Sequence, residues 1–433
     1  MITFISLFLG LVIGPHTIAL MVSEPVIRVE IVVDGSKVGE LAGEPWSLEF
    51  DFGDSLVPHE LVAVGFDAED HEVSQVRQWL NLPRQPAETV IAVEGDPEGE
   101  HRTARLTWES IAGKQPKNIL VTFDQEPLDV TDPGSISLPP HDPGQIHFLR
   151  AELEFEGDVT SNAEFVFGGD QLEKISSELT AVPLESLKSR KIPPVEKVAG
   201  WFEVPTGPLE VVAWEKGAAD IIIVPALGSL KDLHQIRNQE MSKPLPSAAW
   251  RRSILFGSQD WVLRVVWPIS RVQAGIQAPF ELFAHSAPPA SESGNLLRWL
   301  TEIEPPPELE GSQRLSDAVA VAGVTVAGKR GRRAIVLVIG DEEADTSRLS
   351  PSQVQKYLRA LHAPLQVWST RPHGSATGSW GPSVDISSPG KLQKAMNQLF
   401  ESLDGQQVVW LAGYHLPQDI ELTPSAKDFR LVQ

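Results

Sequence analysis

The stretch Ala218-Ala-Asp-Ile-Ile-Ile-Val-Pro-Ala-Leu-Gly-Ser229 decides the fold. Its β-branched run Ile221–Val224 shows no polar alternation, which predicts a strand buried on both faces, as in a parallel sheet. Pro225 ends the run, Gly228 turns the chain, and Ser229 stands where an N-cap would open the helical pattern Leu230–Met241. Strand, turn and helix start together place a loop at the carboxyl end of a central strand. In open α/β sheets that is where ligands bind.

Downstream the alternation of types continues. Strand patterns at Asp220–Val224, Trp261–Trp267, Ala334–Ile339 and Leu365–Ser369 interleave with helical patterns at Leu315–Val326, Pro351–Leu361 and Lys391–Ser402. Pro351 after Ser350 suits the first helical position behind an N-cap. Gln407–Tyr414 is expected to add the last strand, so residues 199–433 are expected to form one α/β domain: a mainly parallel sheet flanked by helices.

Upstream the period is two. Ile27, Val29 and Ile31 alternate with polar neighbours, Asp34-Gly35 is a hairpin signal, and short strand patterns follow to Pro86. These give an expected β-sandwich (immunoglobulin-like) region over 25–87. A second β-rich region with a connector spans 88–198, either a separate sandwich or the other half of a larger one.

Composition bounds the function. A net charge of −22 over 433 residues argues against a nucleic-acid partner, which needs a basic footprint. With no cysteines there are no disulfides, thiol nucleophiles or thiolate metal sites. The apolar run Phe4–Ile13, followed by Thr17-Ile18-Ala19, reads as a signal peptide over 1–19, although no Lys or Arg precedes it. Export to the periplasm or the extracellular space is the expectation, with no membrane segment after removal of the signal.

Three segments resemble the von Willebrand factor type A family, in particular its bacterial group of related exported proteins: Ala219–Ser229, Gln313–Ala320 and Gly331–Thr346. The resemblance implies a Rossmann-like α/β domain. It also implies a metal-ion-dependent adhesion site, built from Asp-x-Ser-x-Ser, a Thr and an Asp on three strand-end loops. Mg²⁺ favours such oxygen ligands. Here the first Asp corresponds to Pro225 and the first Ser to Leu227. Only Ser229 survives, the Thr falls near Gln313 with Ser312 beside it, and the last Asp falls at Gly340 or Asp341. The site reads as degenerate, and no cofactor is expected. If any metal binds, Ser229, Ser312 and Asp341 are the candidates.

Other constellations point to no chemistry. No His-Glu-x-x-His or Gly-x-Ser-x-Gly occurs, and Ser229 lies five residues from His234, the wrong helical offset for a nucleophile and base. The carboxylates Asp341, Glu342, Glu343 and Asp345 read as a solvated loop, with Asp341 and Glu342 the candidates for touching a cation or a basic partner. Lys329-Arg330-Gly331-Arg332-Arg333 reads as the solvated lead-in to a strand. His141 and His147 flank a turn and fall short of a zinc set. Trp201, Trp214 and Trp380 lie in or near loops and are candidate interface anchors.

The resulting expectation is a non-catalytic binding or scaffolding protein. Its expected partner is a protein of the envelope or the extracellular space, or a glycan, met by a face built from Pro225, Leu227, Gly228, Ser229, Ser312, Gln313, Asp341 and Glu342. A metal-dependent adhesion domain and a hydrolase with an unrecognised site are the alternatives.

Overall fold

In the computed structural model, the described residues are all except 1, 5, 7–10, 84–86, 95–101, 111–114, 125, 142–146, 156–159, 168–178, 188–196, 239–260, 271–282, 287–295, 308, 310, 330, 341–343 and 372–376. The chain divides into two units, one of residues 1–83, 180–411 and 415–433, the other of 84–179 and 412–414. Most of its regular structure is β.

The larger unit begins with a sandwich. Its strands are β1 (Ile2–Phe4), β2 (Pro15–Val22), β3 (Arg28–Val33), β4 (Ser36–Leu41), β5 (Ser47–Asp51), β6 (His59–Phe66) and β7 (Glu72–Leu80). One sheet runs β1-β2-β5 and the other β4-β3-β6-β7. The Asp34-Gly35 hairpin is present, with φ of 49° and 73° at the two turn residues. The described residues Ile2–Phe4 and Pro15–Ala19 belong to this layer. Pro15–Ala19 pair with Asp51–Ser47, and Ile18 and Leu20 are buried in the core with Val29, Ile31 and Leu61. The expected boundary after Ala19 therefore falls inside a strand. β2 alternates, with Ile18 and Leu20 inward and Thr17 and Met21 outward, so Thr17-Ile18-Ala19 also suits a half-buried strand.

The smaller unit holds a second sandwich with its own core around Leu149, Ala151 and Leu153. Its strands are β8 (Ala87–Glu94), β9 (Thr103–Ser110), β10 (Asn118–Phe123), β11 (Glu126–Leu128), β12 (Ile136–Ser137), β13 (His147–Glu154) and β14 (Thr160–Phe167). The sheets run β12-β9-β8 and β11-β10-β13-β14, the order of the first sandwich with every label advanced by seven. The two β regions are thus two separate sandwiches of one topology.

A third β layer returns to the larger unit. It comprises β15 (Leu179–Ser186), β16 (Phe202–Val204), β17 (Gly207–Pro208), β18 (Val211–Glu215) and three strands from the end of the chain, described below. Between β18 and those strands lies the α/β layer: β19 (Ala219–Pro225), α1 (Leu227–Asn238), β20 (Trp261–Ser270), β21 (Phe283–Ser286), α2 (Leu296–Glu302), α3 (Leu315–Gly328), β22 (Arg332–Ile339), α4 (Pro351–Ala360), β23 (Leu365–Ser369), α5 (Thr377–Trp380), β24 (Val384–Asp385) and α6 (Pro389–Gly405). The sheet order is β21-β20-β19-β22-β23-β24, parallel except for the edge strand β21. In order of appearance this is 3-2-1-4-5-6, with the switch point between β19 and β22.

All seven residues of β19 are buried, as the unbroken apolar run requires. Ile221, Ile223, Val336 and Val338 pack with α1, α2 and α6 residues such as Leu233, Leu300 and Leu399. Ile222, Val224, Ile335 and Leu337 are equally buried and point to the opposite face, by the period of two. Helix α4 starts as read, with Ser350 as N-cap in a capping box with Gln353 and Pro351 first in the helix.

The end of the chain departs from expectation. β25 (Gln406–Ala412), β26 (Glu421–Leu422) and β27 (Phe429–Leu431) complete the third layer, in sheets β18-β25-β15-β27 and β17-β16-β26. The strand of the 407–414 segment therefore joins the third β layer and not the six-stranded sheet. β25 pairs antiparallel with β18, and Trp214 Nε1 donates to Gln407 Oε1 at 2.8 Å. The expected 199–433 domain is an α/β layer set into a β layer.

Candidate functional site

The carboxyl end of the parallel sheet, where β19 and β22 diverge, gathers the loops that follow β19, precede α3 and follow β22. Pro225 is the buried last residue of β19. Helix α1 begins at Leu227, so Ser229 lies in its first turn and not at its N-cap. Ser229 is fully buried, and its hydroxyl donates to the Ala226 carbonyl at 2.7 Å. Leu227 donates its N–H to Gln313 Oε1 at 2.7 Å, and Gly228 packs its backbone against Gly340. A Cβ at Gly340 would lie 2.8 Å from Gly228 O and from Ser229 Cα, so only glycine fits there.

Gln313 is buried, and its carbonyl accepts from the Thr346 N–H at 2.8 Å. Its side chain fills the place that the resemblance assigns to a metal-binding Thr and satisfies an orphan N–H of α1. Ser312 is exposed, with Oγ 2.8 Å from Thr346 Oγ1. Asp341 and Glu342 lie outside the described residues, as does Glu343.

The remaining carboxylate of that run, Asp345, caps α3. Its Oδ1 accepts from the N–H of Leu315 at 2.9 Å and from Ser347 Oγ at 2.6 Å, and its Oδ2 from Ser316 Oγ at 3.0 Å. Partial desolvation pushes this carboxyl up, but the Ser347 hydroxyl, the Leu315 and Ser347 N–H groups and the Ser316 hydroxyl together hold it below the ordinary aspartate value. Asp317, buried, accepts from the guanidinium of Arg314 and from the N–H groups of Arg348 and Leu349.

A third carboxylate has no local sequence signal. Asp232, one turn into α1, accepts from Thr370 Oγ1 and from two nitrogens of Arg371, each at 2.8 Å. Burial raises its carboxyl, and Arg371 and Thr370 more than offset this, leaving it lowered. The i+4 partner rule cannot find such a pair, because Arg371 follows a strand far along the chain. Asp345 was findable: Asp345-x-Ser347 is an Asx-turn pattern, and its Ser347 N–H closes on Asp345 Oδ1 at 3.0 Å.

Three further expectations are corrected. Arg332 and Arg333 are buried, not solvated. Arg332 donates to the carbonyls of Gly217 and Leu403, where the chain enters and leaves the α/β layer. Arg333 exchanges backbone bonds with the Gln406 side chain. Trp214 is buried in β18 and Trp380 in the short helix α5, so neither is displayed, while Trp201 is partly buried against Trp214 and Phe429.

Among the described residues no group of three His, Asp or Glu side chains is placed to hold a metal. His141 and His147 do meet, with ring centroids 5.1 Å apart, and Asp142 lies outside the described residues. His147 Nδ1 is 2.6 Å from Asp124 Oδ2. The same pair occurs in the first sandwich, where His59 Nδ1 is 2.7 Å from Asp34 Oδ2. Both aspartates have φ of 49° in the turn after β3 or β10, and both histidines open the strand opposite. The pair is a fastening of this sandwich topology.

No family model matches the chain, and no curated protein matches it. Solved structures to which parts of the chain are similar include fibronectin(III)-like modules of Clostridium thermocellum CbhA, at 19% identity over 18% of this chain and 93% of that one, TM-score 0.17. Proximal thread matrix protein 1 from the mussel byssus is 14% identical over 51% of this chain and 50% of that one, TM-score 0.29. A β-glucuronidase from glycoside hydrolase family 2 is 12% identical over 40% of this chain and 20% of that one, TM-score 0.18. Likenesses of this size carry no functional weight. The chain's own strands establish β-sandwich regions, and among the described residues no helix is long and apolar enough to cross a membrane.

Proposed function

We propose that the chain is an exported, non-catalytic binding or scaffolding protein. Its partner is a protein of the envelope or the extracellular space, met at the carboxyl end of the six-stranded sheet without a metal ion. One observation carries this reading. The polar groups that would open toward an ion there are turned on one another: Gln313 onto α1, Asp345 onto α3, Ser229 onto Ala226. Gln313 and Asp345 accept from helix N–H groups, so removing either would strand a donor, which favours the closed arrangement.

A degenerate von Willebrand type A domain is the family reading that fits. It rests on the three sequence segments and is supported by the 3-2-1-4-5-6 strand order with β19 central. The two sandwiches upstream suit a spacer that carries the α/β layer.

Calorimetric titration of the full chain with Mg²⁺, Mn²⁺ and Ca²⁺ tests the metal-free part. No heat of binding is expected up to millimolar ion, and micromolar affinity lost in Asp341→Ala would overturn it. Retention of an envelope protein on the immobilised chain, lost in an Arg348→Glu variant at the rim of this face and unaffected by chelator, tests the binding part.

A further inference from the structure

We infer that His362 is an acid-sensitive latch holding the α/β layer to the first and third β layers. His362 ends the turn after α4 with φ of 51° and is 5% exposed. Its Nε2 is 2.8 Å from the Pro417 carbonyl. A carbonyl only accepts, so Nε2 carries the proton and Nδ1 the lone pair. Nδ1 is buried with no hydrogen-bond partner among the described residues.

Pro417 begins the 3₁₀ turn Pro417–Asp419 of the third β layer. The next residue, Gln418, donates to the Pro58 carbonyl of the first sandwich at 3.0 Å. Helix α4 reaches the same sandwich directly. Tyr357 OH donates to the Asn81 carbonyl at 2.6 Å, Gln353 Nε2 to the Asp54 carbonyl at 2.7 Å, and Lys356 Nζ to Ser55 Oγ at 3.0 Å. His362 joins α4 to the turn, and the turn to the sandwich, as a second attachment beside these direct bonds.

The charged surroundings offer a second proton no compensation. From β22 comes Arg333, 3% exposed, with Nη1 on the Leu361 carbonyl at 3.4 Å and Nη2 without a partner among the described residues. Asp220, opposite Arg333 on β19, is taken by Arg264 of β20 at 2.6 Å. Arg359 of α4 is exposed. From the turn comes Asp419, whose carboxyl is raised by burial and by Asp34 of the first sandwich, itself paired with His59. A proton on Nδ1 would create a donor with no acceptor and a cation beside a buried guanidinium. Leaving the pocket relieves both and breaks the bond to Pro417. Burial pulls the imidazole down to about 4, the Pro417 carbonyl opposes this, and Arg333 adds to the lowering. Asp419 works in the opposite sense, since protonating it removes its repulsion with Asp34.

The lack of native cysteines allows a clean test on the full chain. Ser36→Cys on the first sandwich and Lys394→Cys on α6 carry a donor and an acceptor dye. Energy transfer should fall as pH drops from 7, with a midpoint at about pH 4 to 5, while far-UV circular dichroism holds. In His362→Asn, which tolerates the positive φ and cannot titrate, that step should vanish. An identical step in His362→Asn, no step in the parent down to pH 3.5, or a step that coincides with loss of dichroism would each overturn the latch. Should His362→Asn not fold, Gln418→Ala weakens the next link and should move the midpoint up by about half a unit or more. An unmoved midpoint would again overturn it.

Discussion

Gly340→Ala tests how rigidly the strand-end face is built. The added Cβ would sit 2.8 Å from Gly228 O, 2.8 Å from Ser229 Cα and 2.9 Å from Gly228 C, all backbone atoms. Ordinary contact begins at 3.4 Å, so the turn after β19 must retreat by about 0.6 Å. It is held on both sides, by Ala226 N–H on the Val338 carbonyl at 2.8 Å and by Leu227 N–H on Gln313 Oε1 at 2.7 Å. Overpacking of this kind costs about 1–3 kcal/mol, and losing one of those bonds adds about 1–3 kcal/mol. A destabilisation of about 2–6 kcal/mol is expected. Gly323→Ala in α3 is the control. Its Cβ would come within 2.3 Å of Leu358 Cδ2, a nominally worse clash, but with the end of a flexible side chain. Alanine also gains about 1 kcal/mol over glycine inside a helix, so a net change within about 1 kcal/mol of zero is expected. Urea titrations followed by tryptophan fluorescence give both differences from the midpoints. If Gly340→Ala loses no more than Gly323→Ala, the turn is compliant and the closed face is not enforced by its backbone.

Gln313→Ala should cost about 1–3 kcal/mol in the same titration, because the Leu227 N–H loses its acceptor; a change below about 0.5 kcal/mol would show that water replaces it. Asp345 has a folded value below its ordinary 3.8, so the stability it contributes is complete above the ordinary value and lost as pH falls through the lowered one. Asp345→Asn should therefore be less stable than the parent at pH 7, with the gap closing below about pH 4 in pH-dependent unfolding. His59→Ala and His147→Ala each remove one copy of the same fastening, and should destabilise their sandwiches by about 1.5–3 kcal/mol each, read by hydrogen exchange of β3 and β10; unequal losses would separate the two pairs in role.

What could be read in advance was local. Ile221–Val224 announced a two-sided strand because nothing polar interrupts it, Ser350-Pro351 announced a helix start, and Asp34-Gly35 a hairpin. What could not be read depended on partners far along the chain. β18 and β25 find each other across 193 residues in the Trp214–Gln407 bond, and no local pattern records that separation. Arg332 and Arg333 look solvated in a basic run, yet remote carbonyls at Gly217, Leu403 and Leu361 receive them. At the strand-end face, the strand and turn were legible from Pro225 and Gly228. The Gln313 bond to the Leu227 N–H was not, since a glutamine side chain reaching a helix N–H is settled by tertiary geometry. Ile18 and Leu20 show a further limit, because hydrophobicity alone does not separate a leader from a core strand.

The α/β layer leaves β18 and rejoins at β25, and Glu215 stands directly opposite Val408 in that sheet. Its two ends thus occupy neighbouring rungs of one ladder. A segment attached in this manner behaves as a cassette: it can lengthen, shrink or be exchanged for another without shifting the rungs that carry it. Substitutions in its loops away from α4 and the His362 turn, which touch the carrier, leave those rungs in place.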